Sequence, residues 1–236
     1  MPMSDDLTND VQGIITTAWD KRDGRKIPET EEVALAGGAV EIDATFLYAD
    51  LADSSKMAKE LDRRIAAKII KSFLYCSSKL INTRGGKIVS FDGDRVMGVF
   101  YGDSKNSSSA KCALNIKWAV DLIREKFESN YESVRNASFK ICHGVGVDTG
   151  TVLAVRGGVR GANDLIWIGR PPNLAAKMSD IRDHPYSSFI TASVFNQLNE
   201  ESKYGGTEKK LMWEKRIWTF LDESITVYRS NWSWNP

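Results

Sequence analysis

Across residues 44–101 the hydrophobic pattern changes period twice, and this limits the folds open to the chain. Thr45–Ala49 is a short apolar run of strand character. Lys59–Leu80 carries Leu61, Ile65, Ile69 and Phe73, a four-residue step that predicts one helix with a single buried face. After Gly85-Gly86, Lys87–Phe91 and Val96–Tyr101 read as a hairpin-like pair around Asp92-Gly93-Asp94. A second helix is expected from a cap at Ser107–Ser109, through Leu114, Trp118, Leu122 and Ile123, to Phe127. Phe139–Val147 and Thr151–Val155 are expected as strands flanking an Asp148-Thr-Gly150 turn, and Leu165–Ile168 as a short strand. Pro171-Pro172 opens a further helix, since proline suits the first helical turn. Ile217–Arg229 reads as two short strands around Asp222-Glu223. The order β-α-β-β-α-β with later additions predicts an α+β fold, helices on one face of a mainly antiparallel sheet.

Residues 1–39, with a short helix around Val11–Trp19 and a polar stretch through Glu32, read as an N-terminal extension; residues 40–236 read as the main domain. Apolar residues make up 42% of the 236, enough for a proper core. A net charge of +1 gives no general pull toward nucleic acid or membrane. No apolar stretch approaches spanning length, and the acidic Ser4-Asp-Asp6 is not a signal peptide, so a cytoplasmic protein without membrane insertion is expected. Cys76, Cys112 and Cys142 form no metal or redox motif, in keeping with a reducing compartment.

Two aspartates carry the chemical signal. Asp50 ends the apolar run Phe46-Leu-Tyr-Ala-Asp50, and Asp94 sits in the Gly93-Asp94 step of the hairpin. Residues two apart on a strand share a face, so Tyr48 and Asp50 point the same way, over Phe46. A carboxylate at the end of a buried strand is costly unless it is paired or holds a cation. Two of them suggest a shared metal site, and such sites mostly serve phosphoryl and nucleotidyl chemistry. Asp53, with Ser54 and Ser55, is expected to cap the next helix, and Asp92 to be a turn residue. His143 and His184 are too few and too far apart for a metal set, and His143 is expected to be structural. Trp232 and Trp234 are expected to pack against a partner subunit, and Arg156, Gly157, Gly158 and Arg160 to form a solvated hairpin tip.

Four blocks, Phe46-Leu-Tyr-Ala-Asp50-Leu51, Gly85-Gly86 through Gly93-Asp94, Gly144-Val-Gly-Val-Asp-Thr-Gly150 and Ile168-Gly-Arg-Pro-Pro-Asn173-Leu-Ala-Ala-Lys177, resemble the class III nucleotide cyclase catalytic domain in order and spacing, over about Val40 to Arg229. The resemblance implies a cyclase homology domain with a ferredoxin-like βαββαβ palm core and C-terminal additions. It implies two divalent cations, Mn²⁺ or Mg²⁺, held by Asp50, Asp94 and the Leu51 carbonyl, and a nucleoside triphosphate substrate. Asn173 matches the ribose-orienting asparagine. Lys177 falls where the family usually has an arginine, so it keeps the charge without the planar fork. Lys209, Lys210 and Lys215 are candidates for a further phosphate-binding lysine. The family's sites form between two subunits, which implies a homodimer with composite active sites.

Ser90 and Ile166 occupy the positions that read the purine in relatives, and neither matches the adenine or the guanine pattern. With Tyr48, they make the chain similar to the bacterial anti-phage pyrimidine cyclases of the Pycsar branch. That branch implies UTP or CTP as substrate, with UTP favoured, and a separate cyclic-nucleotide-binding effector as partner. An adenylate or guanylate cyclase, or an inactive nucleotide-binding module, is the alternative. A diguanylate cyclase or polymerase palm does not account for the Ile168–Lys177 block.

Overall fold

In the computed structural model, which describes residues 2–236, the Lys59–Leu80 pattern proves to belong to two helices. The helices are α1 (Met3–Thr16), α2 (Ser54–Glu60), α3 (Arg63–Thr83), α4 (Lys105–Asn130), α5 (Glu132–Arg135), α6 (Arg170–Ser179), α7 (Ala192–Asn196) and α8 (Glu200–Lys203). The strands are β1 (Asp20–Asp23), β2 (Gly38–Leu51), β3 (Lys87–Asp92), β4 (Arg95–Phe100), β5 (His143–Val159), β6 (Ala162–Ile168), β7 (Ser188–Thr191), β8 (Tyr204–Gly205), β9 (Lys210–Leu211), β10 (Glu214–Phe220) and β11 (Glu223–Ser230). The break before α3 has a local cause. Asp62 accepts a hydrogen bond from the Arg64 N–H at 2.9 Å and so starts a new helix, while Leu61 ends α2.

The chain forms two compact units. The smaller comprises the residues up to Asp43 and Thr151–Gly169. In it β1 runs parallel to the opening of β2, and the end of β5 makes a hairpin with β6 through Gly161 at φ +85. Helix α1 starts earlier than its apolar residues suggested and buries none of them.

The larger unit, Ala44–Gly150 with Arg170–Pro236, has strand order β10-β11-β7-β5-β2-β4-β3. Its four strands β5-β2-β4-β3 keep the order of a ferredoxin-like βαββαβ core, and the fold is α+β as expected. Leu47, Ala49 and Leu51 of β2 and Val145 and Val147 of β5 join the main core with Ile69 and Phe73 of α3 and Leu114 and Ile116 of α4.

Two sequence expectations are corrected here. Asp148-Thr-Gly150 is not a turn, because β5 runs straight through it. Its polar side chains find distant partners: Thr191 Oγ1 donates to Asp148 Oδ1 at 2.6 Å, and the Thr149 and Thr45 hydroxyls lie 2.9 Å apart. Nor are all helices on one face. Residues alternate along β5, so Gly144 and Gly146 face away from the main core. A Cβ on Gly146 would lie 2.0 Å from the Ala175 carbonyl of α6, and one on Gly144 2.1 Å from that of Ser179. Helix α6 therefore lies directly against the second face, and the Gly-x-Gly pair provides the clearance.

Other expectations shift in detail. Ser107 and Ser109 lie inside α4 rather than at its cap. The tail packs on its own chain: the Trp234 N–H donates to the Leu114 carbonyl at 3.1 Å, and Asn115 Nδ2 donates to the Trp234 carbonyl at 2.8 Å.

His143 is buried beside Phe73, and burial lowers its pKa from 6.5 to about 3. Because the folded value is depressed, the unfolded chain takes up the proton first. This contribution to stability is present above pH 6.5 and is lost as pH falls toward 3. His143→Phe is expected to flatten the acid side of the stability curve by up to about 1.4 kcal/mol per pH unit between those limits. Urea unfolding at a series of pH values reads this, and an unchanged slope contradicts it.

Candidate active site

The site is assembled on the face of β2 opposite the main core. Asp50 pairs in register with Arg95 of β4, and Arg95 with Asp92 of β3; one step along, Tyr48 pairs with Met97, and Met97 with Ser90. Directly paired residues share a face, so these two rows place Tyr48, Ser90 and Asp50 on one surface. The register shift between Ile88 and Ser90 sets the position of Ser90. Asp94 sits in the tight turn before β4, where Gly93 has φ +60, and its carbonyl accepts a 3.4 Å hydrogen bond from the Leu51 N–H.

Asp50, Leu51, Asp94, Arg95, Arg182 and the Ser54–Lys56 turn line one open cleft of about 420 Å³. Asp50 is 6% exposed. Burial pushes its carboxyl above the ordinary carboxylate range, against the pull of Arg182 and Arg95. Arg182 Nη2 donates to Asp50 Oδ2 at 2.6 Å, and Arg95 Nε donates to Asp50 Oδ1 at 3.2 Å. Arg95 also reaches Asp180, Nη2 to Oδ1, at 2.7 Å. Asp94 differs: its Oδ2 is buried without a hydrogen-bond partner. A buried, unsatisfied carboxylate oxygen costs about 1–3 kcal/mol or more, and a cation is the natural partner for it. Two carboxylates and a main-chain carbonyl are hard oxygen donors, suited to Mg²⁺ or Mn²⁺. Among the described residues no group of three or more His, Cys, Asp and Glu side chains converges as a metal cage.

The other sequence candidates lie elsewhere. Asn173 and Lys177 are exposed together on one face of α6, where Pro171, Pro172, Leu174, Ala175 and Met178 are buried. Neither lines the Asp50 cleft. Ile166 belongs to β6 of the smaller unit, half-exposed, with its side chain across Gly157. Asp53 takes the cap position of α2 in a left-handed conformation, φ 58, but makes no side-chain cap bond. Lys209, Lys210 and Lys215 do not line the cleft either, and Lys210 pairs with Glu208 at 2.7 Å.

Sequence reasoning missed Arg95 and Arg182. Arg95 had a weak signal, since it follows the favoured Asp94 and alternation puts it beside Asp50. Arg182 had none: it lies 132 residues from its partner, in the segment after α6.

No family model matches the chain. It is 56% identical to a uridylate cyclase of Rhodovulum sp. (strain MB263), over all of this chain and 99% of that protein. It is 39% identical to a uridylate cyclase of Xanthomonas perforans, over 99% of both. Among solved structures, a bacterial light-regulated adenylyl cyclase superposes with a TM-score of 0.69 at 19% identity, covering 84% of this chain and 53% of that one. The βαββαβ core, the paired aspartates and these full-length relatives agree: the chain belongs to the class III nucleotide cyclases. It is accordingly a nucleotide cyclase, a lyase that closes a phosphodiester ring. No helix among the described residues is long and apolar enough to cross a membrane.

Proposed function

We propose that this enzyme is a uridylate cyclase, converting UTP to 3′,5′-cyclic UMP and pyrophosphate, with CTP and cyclic CMP as the alternative pair. The observation that carries the chemistry is the unpartnered Asp94 carboxylate oxygen in the same cleft as Asp50. The choice of base is supported by the full-length relatives named uridylate cyclase.

In this reading Asp50, Asp94 and the Leu51 carbonyl hold two divalent cations, Mn²⁺ or Mg²⁺. Bound there, such ions supply charge neutralisation at phosphoryl oxygens and a more acidic ribose 3′-hydroxyl. The 3′-oxygen bonds to the α-phosphorus, the bridge from that phosphorus to the β-phosphate breaks, pyrophosphate leaves and the hydroxyl proton passes to water. Asn173 orients the ribose, and Lys177 balances charge on the transferring phosphoryl group. The two are four residues apart, on the outward face of α6. They complete the site of a second copy, so the enzyme is a homodimer with two composite active sites. Residues 40–236 form the catalytic domain in this account, with 1–39 as an extension.

Tyr48 and Ser90, on one face of the sheet, shape the base pocket. Burial raises the pKa of Tyr48, so its hydroxyl stays protonated and can donate. Tyr48→Phe is expected to lower activity with UTP by about 10-fold, the worth of one hydrogen bond, and to raise use of ATP or GTP. Competition assays with paired nucleotides read the ratio, and an unchanged ratio removes Tyr48 from base selection.

The resemblance to the anti-phage branch gives the product a role as second messenger, read by a separate cyclic-nucleotide-binding effector, in a cytoplasmic setting without nucleic acid. The direct test is incubation of the purified protein with each of the four nucleoside triphosphates and Mn²⁺, with products identified by mass. Cyclic UMP is expected to predominate. Predominant cyclic AMP or cyclic GMP overturns the pyrimidine assignment, and nucleotide binding without pyrophosphate release overturns the enzyme reading.

A further inference from the structure

We propose that Arg182 is a counter-cation for Asp50 in the metal-free enzyme and passes to the triphosphate of the bound nucleotide when cations take Asp50. The inference rests on the metal-site reading above and assigns a substrate-binding residue to it.

Both oxygens of Asp50 are already occupied by guanidinium groups, Oδ2 by Arg182 and Oδ1 by Arg95. A cation on Asp50 adds a like charge beside both guanidinium groups and competes with them for the carboxylate, so at least one of the two pairs is weakened. The two arginines differ in what they keep. Arg95 retains Asp180 at 2.7 Å, so its charge stays compensated. Arg182 has Asp50 as its one carboxylate partner among the described residues. Its other contacts are the main-chain carbonyls of Ser179, at 2.6 Å, and Ile181, at 3.3 Å, both made through Nη1. Those contacts hold the guanidinium at the cleft when Nη2 lets go. Its side chain is 40% exposed, so a ligand in the cleft can reach it.

Gly144 keeps this position open, since a Cβ there would sit 2.8 Å from Arg182 Nη1. Lys56 lines the same cleft and adds positive charge. A released guanidinium next to a cation-loaded carboxylate needs an anion, and a triphosphate is the anion this enzyme class brings there. Arginine suits the task because its planar fork binds phosphate in two-point fashion.

The test uses full-length protein freed of metal, as wild type, R182A, R182K and D94N. Free Mn²⁺ is read by electron paramagnetic resonance without nucleotide. Binding of 3′-deoxy-UTP, which lacks the attacking hydroxyl, is read by calorimetry with saturating Mn²⁺. R182A is expected to bind Mn²⁺ about 3-fold more tightly, having lost a competing cation, and 3′-deoxy-UTP about 10-fold more weakly. R182K is expected to shift both in the same directions by less, and it carries the test if R182A fails to fold. Any other combination, above all unchanged or weaker Mn²⁺ binding, overturns the role of Arg182. Wild-type protein that binds Mn²⁺ no better than D94N overturns the metal-site reading and this proposal with it, so the two failures are separable.

Discussion

Asp94→Asn is expected to reduce cyclic nucleotide formation by about 10³-fold or more, because in the proposed metal site it removes a carboxylate that would hold cations at the reacting phosphates. The same change is expected to leave the metal-free protein as stable as wild type, or more stable by about 1 kcal/mol. The reason lies in the isolated oxygen. Asp94 Oδ2 is buried and unpartnered, so the folded, metal-free chain carries a polar cost with no structural return. An amide in that place puts no ionic charge at the buried position. A purely structural aspartate shows the opposite signature, losing stability on substitution while activity follows only through unfolding. Thermal melts in chelator, run beside product assays in Mn²⁺, separate the two. A large drop in melting temperature for Asp94→Asn contradicts this account.

Gly146→Val is expected to destabilise the protein by about 3 kcal/mol or more and to lower activity further than unfolding explains. A Cβ at this position meets the Ala175 carbonyl at 2.0 Å, Met178 Cβ at 2.7 Å and the Ser179 nitrogen at 2.7 Å. Two of these three atoms are main chain, so no rotamer change relieves the clash and α6 must move off β5. That helix carries Asn173 and Lys177, and displacement of ångström size at such positions is costly for catalysis. Gly13→Ala is the matched control. Gly13 lies in exposed α1 with nothing within 4 Å of an added Cβ, and the change is expected to stabilise by up to about 1 kcal/mol. Calorimetric melting of the two variants tests both signs.

The contrast between these glycines shows what was legible in the sequence. The hairpin at residues 87–100, the Pro-Pro start of α6 and the paired terminal strands are local signals, and all three formed. The break between α2 and α3 was hidden because Leu61 continues the four-residue period of α3, while the Asp62 cap that ends it is a single residue. The continuity of β5 was hidden for a different reason. Asp148-Thr-Gly150 has turn chemistry, and only Thr191, Arg170 and Thr45, all distant in sequence, make it stable inside a strand. Gly144 and Gly146 were expected simply as residues of the Phe139–Val147 strand, and their part in the close approach of α6 depends on a helix distant in sequence. In the site, strand alternation and a tight turn were enough to bring Asp50 and Asp94 to one cleft. The arginines on Asp50 were not readable, since they depend on which segments the fold places across from it.

In the function proposed above, each catalytic centre takes Asp50 and Asp94 from one subunit and Asn173 and Lys177 from the other. Mixing two inactive variants tests it most directly. Asp94→Ala and Asn173→Ala proteins, each inactive alone, are unfolded together, refolded as a mixture and assayed with UTP and Mn²⁺. Random pairing makes half the dimers mixed, each with one intact centre, so about a quarter of wild-type activity is expected to return. Mixed dimers that are isolated through two different affinity tags and still form no cyclic UMP contradict the claim.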